Sequence, residues 1–216
     1  MNQKFRAVAI DGPAASGKST VARHLATSLG LVMVNSGAMY RAVTWQILEE
    51  GVDPTDAKAV IAALTEMEIV CGVEDGLSNI IINGRLLAHE LRSEEVNNNV
   101  SKVAAIPEVR ECLVAIQRAY RESGDVVMEG RDIGSVVFPD TPYKLYIDAS
   151  EDVRRARRAK DGEADAVAAR DAQDSQRKTA PLKISDGAIV IDSSELGIDA
   201  VVEAACEALL KLGWEE

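Results

Sequence analysis

The sequence predicts an α/β fold built on a five-stranded parallel sheet, and three observations carry that expectation. Short, almost wholly apolar runs recur along the chain, helical periodicity fills most of the segments between them, and polar residues stand where the runs stop. Strands that bury both faces lose the alternation of a half-exposed sheet, so continuous apolar runs of about four residues point to parallel pairing beneath helices on both sides. The 216 residues fit one domain of ordinary size, and a hydrophobic content of 47% suffices for a real core.

The first run, Ala7 to Ile10, ends in Asp11 and enters Gly12-Pro13-Ala14-Ala15-Ser16-Gly17-Lys18-Ser19-Thr20, after which Val21 to Leu29 has helical spacing. Glycines at 12 and 17 let the backbone turn its N–H groups inward as a nest for phosphate oxygens, and the helix N-terminus adds the positive end of its dipole. Lys18 is placed to reach β and γ phosphates, Ser19 to offer a hydroxyl to Mg²⁺, and Thr20 to make a further phosphate contact. A plain Gly/Ser-rich turn is the alternative reading. The strand before and the helix after favour a nucleotide-binding loop.

The second run, Leu31 to Val34, ends in Asn35 and Ser36. About ninety residues then separate it from the third, too many for one crossover helix. Within them Glu68 to Val73, the turn Glu74-Asp75-Gly76, Leu77 to Ile82 and the turn Asn83-Gly84 read as a small inserted antiparallel β unit. Two helices follow. Ser93 is a plausible N-cap ahead of Glu94 and Glu95, and Pro107 opens a segment with the stripe Val109, Leu113, Ile116 and Tyr120, closed by Gly124. The remaining runs are Val126 to Met128, ending in Glu129 to Asp132, then Leu145 to Ile147, ending in Asp148, and Ala188 to Ile191. Ligands of open α/β sheets bind beyond the C-terminal strand ends, so these polar residues are expected to converge on one crevice.

A formal charge of −11 and a pI near 4.8 argue against general binding to nucleic acid, which needs a basic surface across several phosphates. Cys71, Cys112 and Cys206 are odd in number and far apart, which fits reduced packing residues better than disulfides or a zinc site. No leader-like succession opens the sequence and no apolar run reaches membrane-spanning length, so a soluble, cytoplasmic protein is expected. Against the acidic balance, Arg154, Arg155, Arg157, Arg158 and Lys160 crowd one segment, with Arg154, Arg157 and Arg158 on one helical face. They read either as a solvated face paired with Glu151, Asp152 and Asp161 or, given a phosphate loop in the same chain, as part of a lid that closes over phosphates, with the small residues from Gly162 to Ala169 as its moving part.

At this point the chain resembles the bacterial cytidylate kinases, of the nucleoside monophosphate kinase group, over essentially its whole length. The resemblance rests on Asp11 to Thr20, on Asn35-Ser36-Gly37-Ala38-Met39-Tyr40-Arg41, on Glu129-Gly130-Arg131-Asp132-Ile133-Gly134 with Val137-Phe138-Pro139, and on Arg170-Asp171 with Ala180-Pro181-Leu182. It implies a P-loop NTPase core with a five-stranded parallel sheet, an inserted monophosphate-binding region and a short helical lid. Core segments are expected at 1–36, 124–150 and 184–216, the monophosphate region at about 37–123 and the lid with its flanking helices at about 151–183. The implied reaction takes MgATP and CMP or dCMP to ADP and the diphosphate. By the same resemblance Ser36, Arg110 and Asp132 face cytosine, and Arg41 and Arg131 clamp its phosphate. Ser101, Arg170 and Asp174 meet the ribose. Arg177 stands near both base and phosphate. Lys18, Arg131, Arg154, Arg157, Arg158 and Arg177 are the expected catalytic set, with Ser19 on Mg²⁺ and Glu129 reaching it through water.

Chemistry supports the base assignment. A carboxylate accepts from the N4 amino group of cytosine but faces the O4 acceptor of uracil, leaving a buried charge unpaired. Each residue also has a structural reading: Ser36 as a cap for a helix starting near Ala38, Arg41 and Arg110 as solvated helix positions, Asp132 as a bridge to Arg131 or a lid arginine. Two features depart from the family pattern. Glu129 stands where many relatives carry Asp, and only about eleven residues separate Arg158 from Arg170. The competing functions are a P-loop kinase for another small acceptor (another monophosphate, shikimate or gluconate) and a GTPase-type switch. The long β-bearing insert with Asp132 counts against the first, and the lack of an Asn-Lys-x-Asp element against the second. A monomer acting on small nucleotides is expected.

Overall fold

The computed structural model describes residues 5–160 and 182–215. Its elements run β1 (Ala7–Asp11), α1 (Lys18–Leu29), β2 (Val32–Asn35), α2 (Ser36–Glu49), α3 (Ala57–Glu66), β3 (Ile69–Glu74), β4 (Leu77–Ile82), β5 (Arg85–Leu86), α4 (Glu94–Val103), α5 (Pro107–Ala119), β6 (Val126–Gly130), β7 (Lys144–Asp148), α6 (Glu151–Lys160), β8 (Ile189–Asp192) and α7 (Ile198–Lys211). The five expected runs form a parallel array in the order β2-β6-β1-β7-β8. β1 is central, with Ala7 opposite Val126 and Ala9 opposite Lys144.

Each face of the array is a core at its central strands, which explains their unbroken apolar runs, while the edge strand β8 leaves Val190 exposed. Ala7 and Ala9 of β1 face Met39, Val43 and Ile47 of α2 and Val109 and Leu113 of α5. Val8 and Ile10 point the other way, into Val21 and Leu25 of α1 and Val201, Ala205 and Leu209 of α7.

The inserted β unit is not a separate body. β3 and β4 pair antiparallel through a two-residue turn at Asp75-Gly76, and β4 turns into β5 at Asn83-Gly84; all four turn residues have positive φ, as type I′ turns require. The sheet then continues into this unit, because β4 runs parallel to β2 with Met33 opposite Leu77. The Met33 N–H donates to Gly76 O at 2.8 Å and the Asn35 N–H to Ser78 Oγ at 3.2 Å, which covers an edge of β2 that would otherwise offer unpaired backbone groups. Local signals place the helices. The Ser93 hydroxyl accepts from the Val96 N–H, Asp56 accepts from the N–H groups of Lys58 and Ala59, and Pro107 opens α5. α5 ends before Gly124, in a 3₁₀ turn at Tyr120–Glu122. All three cysteines are free and half-buried, and burial pushes their thiols up.

At the opposite end of the sheet, Trp214 is buried against Tyr143 in an edge-to-face pair with centroids 4.8 Å apart. The Arg6 guanidinium lies 3.9 Å over the Trp214 ring, and its Nε donates to Asp125 Oδ2 at 2.9 Å. One aromatic ring thus ties the end of α7 to the strand that carries the site. Trp214→Ala should lower the unfolding free energy by about 3–5 kcal/mol in urea titration. A loss below about 1 kcal/mol would show that the ring carries no such tie.

Candidate functional site

The loop between β1 and α1 is shaped by what it cannot avoid touching. Gly12 has φ +150°, and a Cβ there would lie 2.1 Å from the Ile147 carbonyl oxygen of β7, so no other residue fits without displacing a strand. Gly17 caps α1 with φ 96°. Side chains behind the loop hold three successive carbonyls: Arg154 Nη1 donates to Ala14 O at 3.3 Å, Arg157 Nη1 to Ala15 O at 3.3 Å, and Ser193 Oγ to Ser16 O at 3.0 Å. In a trans peptide the next N–H points opposite to the carbonyl, so these ties turn the N–H groups of residues 15 to 17 toward the other side, where an anion nest is required. Lys18 is buried and donates from Nζ to Pro13 O at 2.6 Å, and Ser19 Oγ donates to Glu129 Oε1 at 2.9 Å. An alcohol and a carboxylate oxygen side by side suit a hard divalent cation such as Mg²⁺.

A cavity of about 450 Å³ runs from this loop to the ends of β2 and β6. Six cationic side chains line it (Lys18, Arg41, Arg92, Arg110, Arg131 and Arg158) against two carboxylates, Glu129 and Asp132, in a protein whose net charge is −11. Arg41 Nη1 donates to Leu91 O at 2.7 Å and Arg131 Nη1 to Gly130 O at 3.4 Å. Arg110 is 3% exposed; it pairs through Nη2 with Asp132 Oδ2, donates to Ala104 O, and lies 5.4 Å from the Tyr40 ring centroid. That excludes the solvated-helix reading of Arg110, and gives Asp132 a partner other than Arg131. Ser36 does not cap α2: Asn35 Oδ1 accepts from the Ala38 N–H, and Ser36 Oγ donates to Glu129 O at 2.8 Å. This crossing is close, since a Cβ on Gly130 would lie 2.5 Å from Ser36 Oγ.

Of the residues singled out from sequence, Ala14, Ala15, Lys18, Ser19, Ser36, Arg41, Ser101, Arg110, Glu129, Arg131, Asp132 and Arg158 line this one cavity. Arg154 and Arg157 do not: they grip the back of the loop, and Arg157 also bonds Ser193 through Oγ and the carbonyl. The arginine face of α6 is therefore neither solvated throughout nor turned to the cavity throughout. Arg170, Asp174 and Arg177 lie outside the described residues, as does most of the expected lid. Sequence reasoning missed the function of Asn35 and Asp11, although both stood at strand ends, and it missed Ser193 and Arg92, which carried no signal. Both oxygens of buried Asp11 accept backbone hydrogen bonds, from the N–H groups of Ile133 at 2.7 Å and Gly134 at 2.8 Å. Burial nevertheless pushes its carboxyl up to about 6, against the pull of those bonds; the Asp132 charge adds to the rise and Lys18 opposes it.

The family model for cytidylate kinase matches residues 8–211. A cytidylate kinase of Clostridium botulinum (strain Langeland / NCTC 10281 / Type F) is 42% identical, over 94% of this chain and 96% of that one. One of Pseudomonas aeruginosa (strain UCBPP-PA14) is 41% identical over the whole of both. Among solved structures, a sugar kinase from Janibacter sp. HTCC2649 superposes with a TM-score of 0.53 at 15% identity, over 95% of this chain and 94% of that one. A gluconokinase from Sinorhizobium meliloti 1021 does so with 0.50 at 13%, over 98% and 95%. At those identities the structures share the fold alone. The sequence matches decide the family, and the chain belongs to the cytidylate kinases.

Asp11 makes stability fall as pH rises. Its folded-state value lies above the unfolded one, so the stability it contributes is complete below about pH 4 and is lost as pH rises through about 6. Relative to Asp11→Asn, which does not titrate, the wild-type protein should lose up to about 3 kcal/mol between about pH 4 and pH 7. Urea titrations of both proteins across that range measure it. A difference that stays flat would place Asp11 at an ordinary carboxylate value.

Proposed function

We propose that this member of the cytidylate kinase family transfers the γ-phosphoryl group of ATP to CMP and dCMP, giving ADP with CDP or dCDP. The observation that carries the reading is a single cationic cavity with a phosphate-binding loop at one end and the buried Arg110–Asp132 pair at the other. Phosphoryl transfer needs two anions held in line and charge neutralised on the moving group, not covalent help from the protein. In this reading Lys18 serves the β and γ phosphates. Arg41 and Arg131 hold the acceptor phosphate, Arg158 faces the space between the nucleotides, and Arg154 and Arg157 act from behind the loop by fixing its carbonyls. Ser36, Arg110 and Asp132 read cytosine, with Asp132 accepting from N4. Ser101 takes the ribose together with Arg170 and Asp174, and Arg177 completes the phosphate contacts.

Ser19 and Glu129 would hold Mg²⁺, which supplies charge neutralisation on the β and γ oxygens. The longer Glu129 side chain meets the Ser19 hydroxyl at 2.9 Å. We assign the core to 1–36, 124–150 and 184–216, the monophosphate region to about 37–123 and the lid to about 151–183. No helix among the described residues is long and apolar enough to cross a membrane. We take the enzyme to be a cytoplasmic monomer.

A coupled assay across CMP, dCMP, UMP, AMP, dTMP, shikimate and gluconate tests the reading: CMP and dCMP should be the best acceptors, and equal use of any other would sink it. Lys18→Ala should lower kcat by roughly 10²–10³-fold while the melting temperature stays close to that of the wild type. Near-normal turnover in the folded variant would remove Lys18 from the donor site. Asp132→Asn should narrow the CMP-to-UMP ratio of kcat/KM by about tenfold or more, because an amide can donate to O4. An unchanged ratio would show that Asp132 does not read the base.

A further inference from the structure

We propose that Asp11 is a positioning residue for base recognition: from the end of β1 it caps the helical turn at Ile133–Val137, and so leaves the Asp132 carboxylate to the base. The proposal rests on the reading of Asp132 given above. Asp132 occupies the N-cap position of that turn, with its carbonyl accepting from the Val136 N–H at 2.8 Å and a backbone at φ −147° and ψ 25°. An aspartate there ordinarily bends its side chain back onto the first N–H groups of its own turn, which have no intrahelical partner. Asp132 makes no such bond. The N–H groups of Ile133 and Gly134 donate instead to Oδ1 and Oδ2 of Asp11, at 2.7 and 2.8 Å, and the Asp132 carboxylate meets Arg110.

Capping has thus moved to a residue of a different strand. Asp11 is 3% exposed and lies opposite Gly130 in the β1–β6 ladder, so its reach to the turn is fixed by sheet register and does not depend on a loop. Gly12 follows it directly, which sets the base-reading turn and the phosphate loop on one pair of strands. Without Asp11, the nearest carboxylate in sequence to those two N–H groups is that of Asp132 itself, and local capping would draw it from Arg110 and from a ligand.

Asp11→Ala should therefore lower the CMP-to-UMP ratio of kcat/KM by about tenfold or more, mainly through the KM for CMP, while the equilibrium affinity for ATP stays within about twofold. Asp11→Asn keeps one acceptor oxygen and should fall between that variant and the wild type. In an Asp132→Ala background, Asp11→Ala should leave the ratio where Asp132→Ala alone puts it, because the carboxylate it would misplace is gone. A general packing defect would lower both nucleotides together and add to Asp132→Ala. Additive effects, an unmoved CMP-to-UMP ratio, or failure of both Asp11 variants to fold, judged by circular dichroism and thermal melting, would overturn the proposal. If the wild-type protein itself shows no preference for CMP, the functional reading falls and the role of Asp11 with it. A wild-type preference for CMP together with an unmoved Asp11→Ala ratio sinks only the role of Asp11.

Discussion

The register of β1 between β6 and β7 is the constraint on which the site depends. It sets Asp11 opposite Gly130 on one side and Tyr146 on the other, and so lays the phosphate loop between the ends of two neighbouring strands. A slip of one residue would exchange Ala7 and Ala9 with Val8 and Ile10 between the two cores and carry Asp11 away from the Ile133 and Gly134 N–H groups. Stability and function are not separable at this strand. The side chains that make the register unique are the ones that bury both faces of the sheet.

Electrostatics set the second requirement. Six cations converge on one cavity, and their mutual repulsion is contained by carbonyl oxygens and by two carboxylates. The Arg110–Asp132 pair is the most costly element, since two charges are almost wholly removed from water and removing either partner strands the other, at about 3–5 kcal/mol. Such a pair adds little net stability. It holds two recognition groups in one fixed arrangement while the Tyr40 ring lies against the guanidinium. Anions that enter the cavity relieve the repulsion of the cations around it, so ligand binding and folding stability are linked here.

The helix α6 binds the phosphate loop to the end of β8. Arg154 and Arg157 bond the carbonyls of Ala14 and Ala15, Arg157 reaches Ser193, and Ser193 returns to Ser16. Hydrogen bonds from charged donors contribute up to about 1.5–3 kcal/mol each, and these restrain the loop from behind. Gly12 adds a separate constraint, because its φ of +150° and its close approach to Ile147 fix where the loop leaves β1. Arg158, one residue beyond Arg157, faces the cavity instead. One helical face therefore serves both the back of the loop and its ligand side.

Much of this was written in local sequence. Continuous apolar runs marked all five parallel strands, because burial of both faces selects apolar residues along β1, β6 and β7, although the edge strand β8 leaves Val190 exposed. Asp-Gly and Asn-Gly marked the turns of the inserted unit, because only residues tolerant of positive φ close a two-residue hairpin. The phosphate loop and the polar strand ends were legible for the same reason: backbone geometry and the C-terminal sheet edge constrain residue type at short range. What local sequence did not determine was which polar groups meet. Arg110 and Asp132 stand on elements twenty-two positions apart, Ser193 is 177 positions from the carbonyl it holds, and Asp11 caps a turn more than 120 residues away. Whether β4 stands apart or extends the sheet was equally open, since pairing at Met33 and Leu77 depends on an edge that exists only once β2 is in place. Residue type is selected by the conformation and burial of its own segment. Hydrogen-bond partners are assigned by strand order and register, and those arise only when the whole chain packs.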